Sequence, residues 1–191
     1  MRDPVQYAAI LADSADFDMA SDKTTGQWLR AMAAGRRNGR FLDLGTGTGL
    51  SACWILDGMD AGSRLLTVDN DTERVAVARR HLGHDPRIEF IVEDGAETLR
   101  RLAAAGVKFD FIFADTWPGK LTDRDLALSL LDDYGVYLVD DMTPHADWLE
   151  DHAAGMARLV DDLNSREELV CVQLHASTGL MMCTKVPGKK K

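Results

Sequence analysis

Apolar positions along this chain fall in short runs, separated by longer stretches where they recur every three or four residues. Short apolar runs bounded by turn residues are the mark of buried strands, and the longer spacing is that of amphipathic helices. Residues 40–44 (RFLDL), 64–69 (RLLTVD), 87–92 (RIEFIV), 109–115 (FDFIFAD) and 135–140 (GVYLVD) read as five strands. A leading helix, TTGQWLRAMAAG, puts Trp28, Leu29 and Met32 on one face and ends at Gly35. After the turn-forming pair Asn70-Asp71, DTERVAVARRHLG predicts a helix with Asp71 as its N-cap and Gly83 as its stop. A long helix over about 145–164 precedes LVCVQLHASTGLMMCTKV, two apolar strands around a Ser-Thr-Gly turn. The expected architecture is α/β: a seven-stranded, mostly parallel sheet with helices on both faces, ending in an antiparallel hairpin.

The bulk numbers narrow the picture. At 191 residues the chain suits one domain, and 46% hydrophobic with 28% charged residues is ordinary for a globular one. A net charge of −9 argues against nucleic acid, because duplex affinity comes mainly from neutralising phosphates. Two basic clusters, Arg36-Arg37-Asn38-Gly39-Arg40 and Gly188-Lys189-Lys190-Lys191, read as a loop and a solvated tail. No apolar run approaches the roughly 20 residues that span a bilayer, and the N-terminus does not read as a secretory signal. Cys53, Cys171 and Cys183 fit neither a disulfide framework nor a zinc set, so reduced thiols in a cytoplasmic protein are expected.

Candidate chemistry begins at Phe41-Leu42-Asp43-Leu44-Gly45-Thr46-Gly47-Thr48-Gly49, a strand running into alternating glycines and then a helix. Glycine serves where backbone turns tightly and a ligand must approach closely. The dinucleotide pattern G-x-G-x-x-G would need glycine at position 50, which is Leu50, so a nicotinamide-dependent dehydrogenase is disfavoured. Twenty residues past Gly49, the second strand ends in Asp69, where a carboxylate can accept hydrogen bonds from both ribose hydroxyls of a nucleoside cofactor. The simpler alternative is a plain turn with Asp69 capping the next helix.

On these residues the chain resembles the class I S-adenosylmethionine-dependent methyltransferases, and among them the small O-methyltransferases of the catechol and caffeoyl-CoA type. The likeness runs from Met19-Ala20-Ser21-Asp22 to the final hairpin. It implies a Rossmann-like fold with a helical lid region over residues 1–39, a core over 40–186 and a basic tail over 187–191. It further implies S-adenosylmethionine as cofactor, with Asp43, Gly45, Gly47 and Gly49 at its methionine part and Asp69 at its ribose. Asp94, in Val92-Glu93-Asp94-Gly95-Ala96-Glu97, is implied at the adenine, although Glu93 stands where the family has glycine. Ser21 and Asp22 resemble a cofactor-covering lid, or else cap a helix. A homodimer is likewise implied by the resemblance.

Ligands of open α/β sheets sit outside the carboxyl ends of the strands. There the sequence places Asp115 in one tip, and Asp140 and Asp141 in another. Such carboxylates repel one another unless a cation, proton or basic side chain intervenes, and oxygen-only donors favour magnesium, calcium or manganese. Alternatively, Asp115 contacts the cofactor or caps a helix, and adjacent Asp140 and Asp141 point to opposite sides of an extended segment. Metal-dependent members of the family use an acid at the first tip and an acid–amide pair at the second, so Asp141 is a departure. Lys120 matches a catalytic lysine, shifted by Pro118 and Gly119; His145 is a second candidate base. Trp117, Met142 and Trp148 could wall a flat acceptor. The function expected is O-methylation of a small, catechol-like molecule, with metal assistance. The alternatives are metal-free transfer to a nitrogen, a carboxylate or a non-aromatic hydroxyl, and a non-catalytic nucleoside-cofactor module.

Overall fold

The computed structural model describes residues 2–17, 21–143 and 150–188. Its strands are β1 (Arg40–Leu44), β2 (Arg64–Asp69), β3 (Ile88–Val92), β4 (Phe109–Ala114), β5 (Leu131–Val139), β6 (Leu169–Leu174) and β7 (Leu180–Lys185). They form one sheet in the order β3-β2-β1-β4-β5-β7-β6. The first five run parallel, while β7 lies antiparallel between β5 and β6. The seven-stranded mixed sheet and its closing hairpin are thus as the sequence predicts.

Parity along the strands sends side chains to two cores. From β4, Phe111 and Phe113 enter one face and Ile112 and Ala114 the other; Val136 and Leu138 of β5 part from Tyr137 and Val139 in the same way. The first face is covered by α1 (Tyr7–Ala12), α2 (Lys23–Ala34), α3 (Leu50–Gly58) and α4 (Thr72–Leu82). The second is covered by α5 (Gly95–Ala104), the single turn α6 (Trp117–Lys120), α7 (Arg124–Ser129) and α8 (Glu150–Ser165). With both faces covered, strands carry continuous apolar runs such as FIFA at Phe111–Ala114.

Helix starts follow local chemistry. The carboxylates of Asp22, Asp71 and Asp94 accept from backbone N–H groups in the first turns of α2, α4 and α5. Among the described residues, two departures from the sequence expectation exceed a single residue. β5 begins at Leu131 rather than 135, because the exposed stretch Asp132-Asp133-Tyr134 enters through a register irregularity, with Tyr134 at φ +63°. Helix α1, which the apolar pattern does not announce, is anchored by the buried Ile10 and by Tyr7 against Trp54. Residues 144–149, where the last helix was expected to begin, lie outside the described residues.

Helices α2 and α3 meet closely at Gly26. A β-carbon there would stand 2.3–2.6 Å from atoms of the Trp54 ring, which is fully buried and has no room to move. Gly26→Ala should therefore destabilise the fold by about 1–3 kcal/mol, the usual effect of overpacking, despite the roughly 1 kcal/mol that alanine gains over glycine within a helix. Urea denaturation of both proteins measures the difference.

Candidate active site

The chain leaves β1 into a loop whose Gly45, Gly47 and Gly49 all have positive φ, at +113°, +49° and +96°. The Gly45 and Thr46 amides donate to the Val68 carbonyl at 2.9 and 3.1 Å, tying the loop to β2. A β-carbon at Gly45 would lie 2.8 Å from the Asp115 carbonyl oxygen, so glycine there lets the β1 and β4 tips converge. Beneath the loop Asp43 is wholly buried on the α3 side. One of its carboxylate oxygens accepts from Thr67 Oγ1 at 2.8 Å and Ser51 Oγ at 3.1 Å. The other, Oδ1, has no protein partner. Burial pushes this carboxyl up to about 7, against the two hydroxyl donors that favour its charged form.

Asp69 stands where β2 ends. The Gly47 amide donates to its Oδ2 at 2.8 Å and the Asp71 amide to its Oδ1 at 2.9 Å, so loop and strand tip fix each other. Asp69 and Asp94 line a cleft of about 430 Å³ with Asn70, Thr116, Trp117 and Thr122. Asp94 also caps α5, accepting from Ala96 and Glu97. The cap of α4 is Asp71, not the Asp69 of the simpler alternative, and the cap role of Asp94 was not foreseen from the sequence. Glu93, the departure from the family pattern, turns to Thr98 and Arg101 instead.

The N-terminal segment lies over the loop, a contact that sequence reasoning missed. Ser14 Oγ donates to Ile10 O at 2.6 Å and shares a hydrogen bond with Thr48 Oγ1 at 2.7 Å. Phe17 packs on the bare Cα of Gly47, and the Arg74 guanidinium stacks 4.0 Å from the centre of that ring. The signal was an isolated aromatic in a polar stretch, which has no meaning without its partner.

The other strand tips bring acids together. Asp115 accepts from Ser21 Oγ at 3.1 Å, which separates Ser21 from Asp22, the cap of α2. Burial pushes the Asp115 carboxyl well above the ordinary range, and the nearby Asp140 and Asp141 charges add to that. Asp140, 2% exposed, is raised by burial too; Thr178 Oγ1, donating at 2.5 Å from the hairpin turn, and the Asp141 amide oppose the rise. Asp141 has φ +55° and lies half exposed, its Oδ2 3.7 Å from Lys120 Nζ. Lys120 itself is buried. Its turn is set by Gly119, which has φ +92° and packs against Leu44; the Gly119 carbonyl accepts from Tyr137 Oη. Asp115, Asp140 and Asp141 stand close enough for their charges to act on one another, yet no three His, Cys, Asp or Glu among the described residues are arranged to hold a metal ion. The cation facing them is Lys120. His145 and Trp148 lie outside the described residues.

Because Asp43 holds its proton to a higher pH folded than unfolded, folding stability should fall as pH rises from about 4, the ordinary carboxyl value, to about 7. Asp43→Asn should remove that component: relative to the parent, the variant gains stability between pH 5 and pH 7. Urea midpoints at the two pH values test this, and an unchanged difference would refute it.

Comparison with known proteins agrees with this geometry. A family model described as a methyltransferase domain matches residues 42–142, from within β1 to the Asp140-Asp141 tip. The catechol O-methyltransferase of Mycobacterium tuberculosis is 32% identical over 118 residues, covering 59% of this chain and 53% of that protein. The chain thus spans about half the length of that curated relative. Among solved structures, the O-methyltransferase TomG of Streptomyces achromogenes, involved in tomaymycin synthesis and bound to SAM, superposes with TM-score 0.85 at 21% identity, covering 97% of this chain and 92% of that one. An O-methyltransferase from Bacillus cereus in complex with SAH gives TM-score 0.84 at 18% identity with the same coverage. With more than half of its length matched by the family model, and with the glycine loop, the Asp69 tip and the closing hairpin in place, the chain belongs to the methyltransferase-domain family.

Proposed function

We propose that the protein is an S-adenosylmethionine-dependent O-methyltransferase acting on a small hydroxylated molecule. The observation that carries this reading is Asp69, held by the Gly47 amide at the wall of the cleft, with lone pairs left on both oxygens for ribose hydroxyls. The residues fit such a cofactor. Asp94 shares the cleft wall with Asp69, and Asp43 Oδ1 remains an unpartnered acceptor beneath the loop. When bound, S-adenosylmethionine supplies an electrophilic methyl group on a sulfonium sulfur. The curated catechol O-methyltransferase relative supports a hydroxylated aromatic as acceptor.

The chain's own residues divide the remaining work. The Asp115–Asp140 pair, with carboxyls raised by burial, takes the proton of the acceptor hydroxyl. The Lys120 ammonium, steadied by Asp141, faces the oxygen as its negative charge develops. Thr178 and Ser21 hold the two carboxyls in position, and Trp117 at the cleft wall offers a flat surface to the acceptor. The donor set does not suit a divalent ion: one oxygen of Asp140 is taken by Thr178 and the Asp141 amide, and Lys120 already supplies positive charge. The transfer proposed is therefore metal-free, with the hydroxylated acceptor retained.

Calorimetric titration with S-adenosylhomocysteine should show binding to the parent and a loss of about 10–100-fold in Asp69→Ala, the worth of a hydrogen bond to a charged group; a parent that does not bind ends the proposal. Lys120→Met should lower kcat about 100-fold or more while leaving S-adenosylhomocysteine affinity within about twofold. Turnover on hydroxylated aromatics should survive excess chelator. Activity that returns only with magnesium would reverse the assignment of Lys120 as the cation of the site.

A further inference from the structure

The C-terminal hairpin brings two cysteines face to face. Cys171 of β6 pairs directly with Cys183 of β7. Which kind of antiparallel pair this is follows from the end of the ladder. Val186 N donates to Glu168 O at 2.8 Å, and these two residues oppose each other one step beyond the Leu169–Lys185 pair. Glu168–Val186 is therefore a hydrogen-bonded pair, and strict alternation makes Cys171–Cys183 a non-hydrogen-bonded one. Pairs of that kind have their Cα atoms about 4.5 Å apart and their side chains at closest approach. A disulfide spans Cα separations of roughly 4.4–6.8 Å, so the backbone need not move far to accept one.

Both thiols point to the α8 side of the sheet, where Cys183 is fully buried and Cys171 partly exposed at the sheet edge. Cys171 Sγ–H donates to the Leu163 carbonyl of α8 at 3.5 Å. We propose that Cys171 and Cys183 form a modification site, a dithiol that closes to an intrachain disulfide by exchange with a small-molecule disulfide. The two sulfurs have different parts in the exchange. A hydrogen bond from Cys183 holds the Cys171 thiol below its ordinary value, and the same contact together with burial pushes Cys183 up. Cys171, the thiol that solvent reaches at the sheet edge, is the attacking thiolate, and the buried Cys183 is the resolving thiol. Cys171 Sγ attacks one sulfur of oxidised glutathione and expels one glutathione thiolate. Cys183 then gives up its proton, attacks Cys171 Sγ and expels the second. Two protein thiols and one glutathione disulfide become one protein disulfide and two glutathione thiols.

Cys53 is the internal control, since it is buried in the other core, beside Asp57, and burial pushes its thiol up to about 12. The folded full chain is incubated with oxidised glutathione, quenched with acid, and its thiols counted and mapped by peptide mass under non-reducing conditions. The expected result is loss of two of the three thiols, a peptide pair joined through Cys171 and Cys183, no retained glutathione, and full recovery with dithiothreitol. Cys53→Ser should behave identically at the hairpin, and Cys183→Ser should stop at a glutathione adduct on Cys171. Glutathione retained on the parent at Cys171, joining of two chains, reaction first at Cys53, or three intact thiols in the folded chain where a urea-unfolded sample oxidises would each overturn the proposal.

Discussion

The tips of β1 and β4 come together only because Gly45 carries no side chain: a β-carbon there would press to within 2.8 Å of the Asp115 carbonyl oxygen. At φ +113° the same residue turns the chain from the strand into the loop that meets β2 through Val68. Everything described at the sheet's carboxyl edge inherits this contact. Asp115 is placed by it, and Asp69 by the Gly47 amide two residues on. The buried Asp43 carboxyl then ties the underside of the loop to β2 and α3 through Thr67 and Ser51. A turn made from three left-handed glycines is entropically expensive, and it is sustained because strand, helix and loop each supply a fixed hydrogen-bonding partner.

What could be read from the sequence was what depends on neighbours along the chain. The strand cores, the Asp71 cap, the Gly83 stop and the loop-plus-acid spacing of Gly45 to Asp69 are local patterns, and the structure reproduces them. What could not be read depends on partners far away. Ser14 meets Thr48 across 34 positions and Asp140 meets Thr178 across 38. Neither Ser14 nor Thr178 has a local feature that sets it apart from a surface hydroxyl. Lys120 presented the same difficulty, because its burial follows from Tyr137 gripping the Gly119 carbonyl, an arrangement that the spacing Pro118-Gly119 only hinted at. Tyr134, with its left-handed backbone, moved the start of β5 for a reason invisible to periodicity.

Electrostatics at the acidic tips is resolved by sharing rather than by distance. Three carboxylates in a half-buried site would repel strongly in a medium that screens poorly. The fold answers by shifting two of them toward the protonated form and by giving the third, the more exposed Asp141, a lysine. The hydroxyls of Ser21 and Thr178 arrive from opposite ends of the chain to donate one hydrogen bond to each of the two buried carboxyls.

The hairpin turn closes the site as well as the sheet. Ser177 meets Thr25 at the start of α2, Thr178 meets Asp140, and the Gly179 carbonyl accepts from Met142, all from the last fifteen residues or so before the tail. During synthesis, β1 through β5 and their covering helices emerge well before residue 179 does. A nascent chain can therefore assemble the glycine loop and the Asp69 wall early, yet its acidic tips stay unbraced until the turn has left the ribosome. The order of translation thus sets the glycine loop and the Asp69 wall before the acidic tips, which gain their braces last.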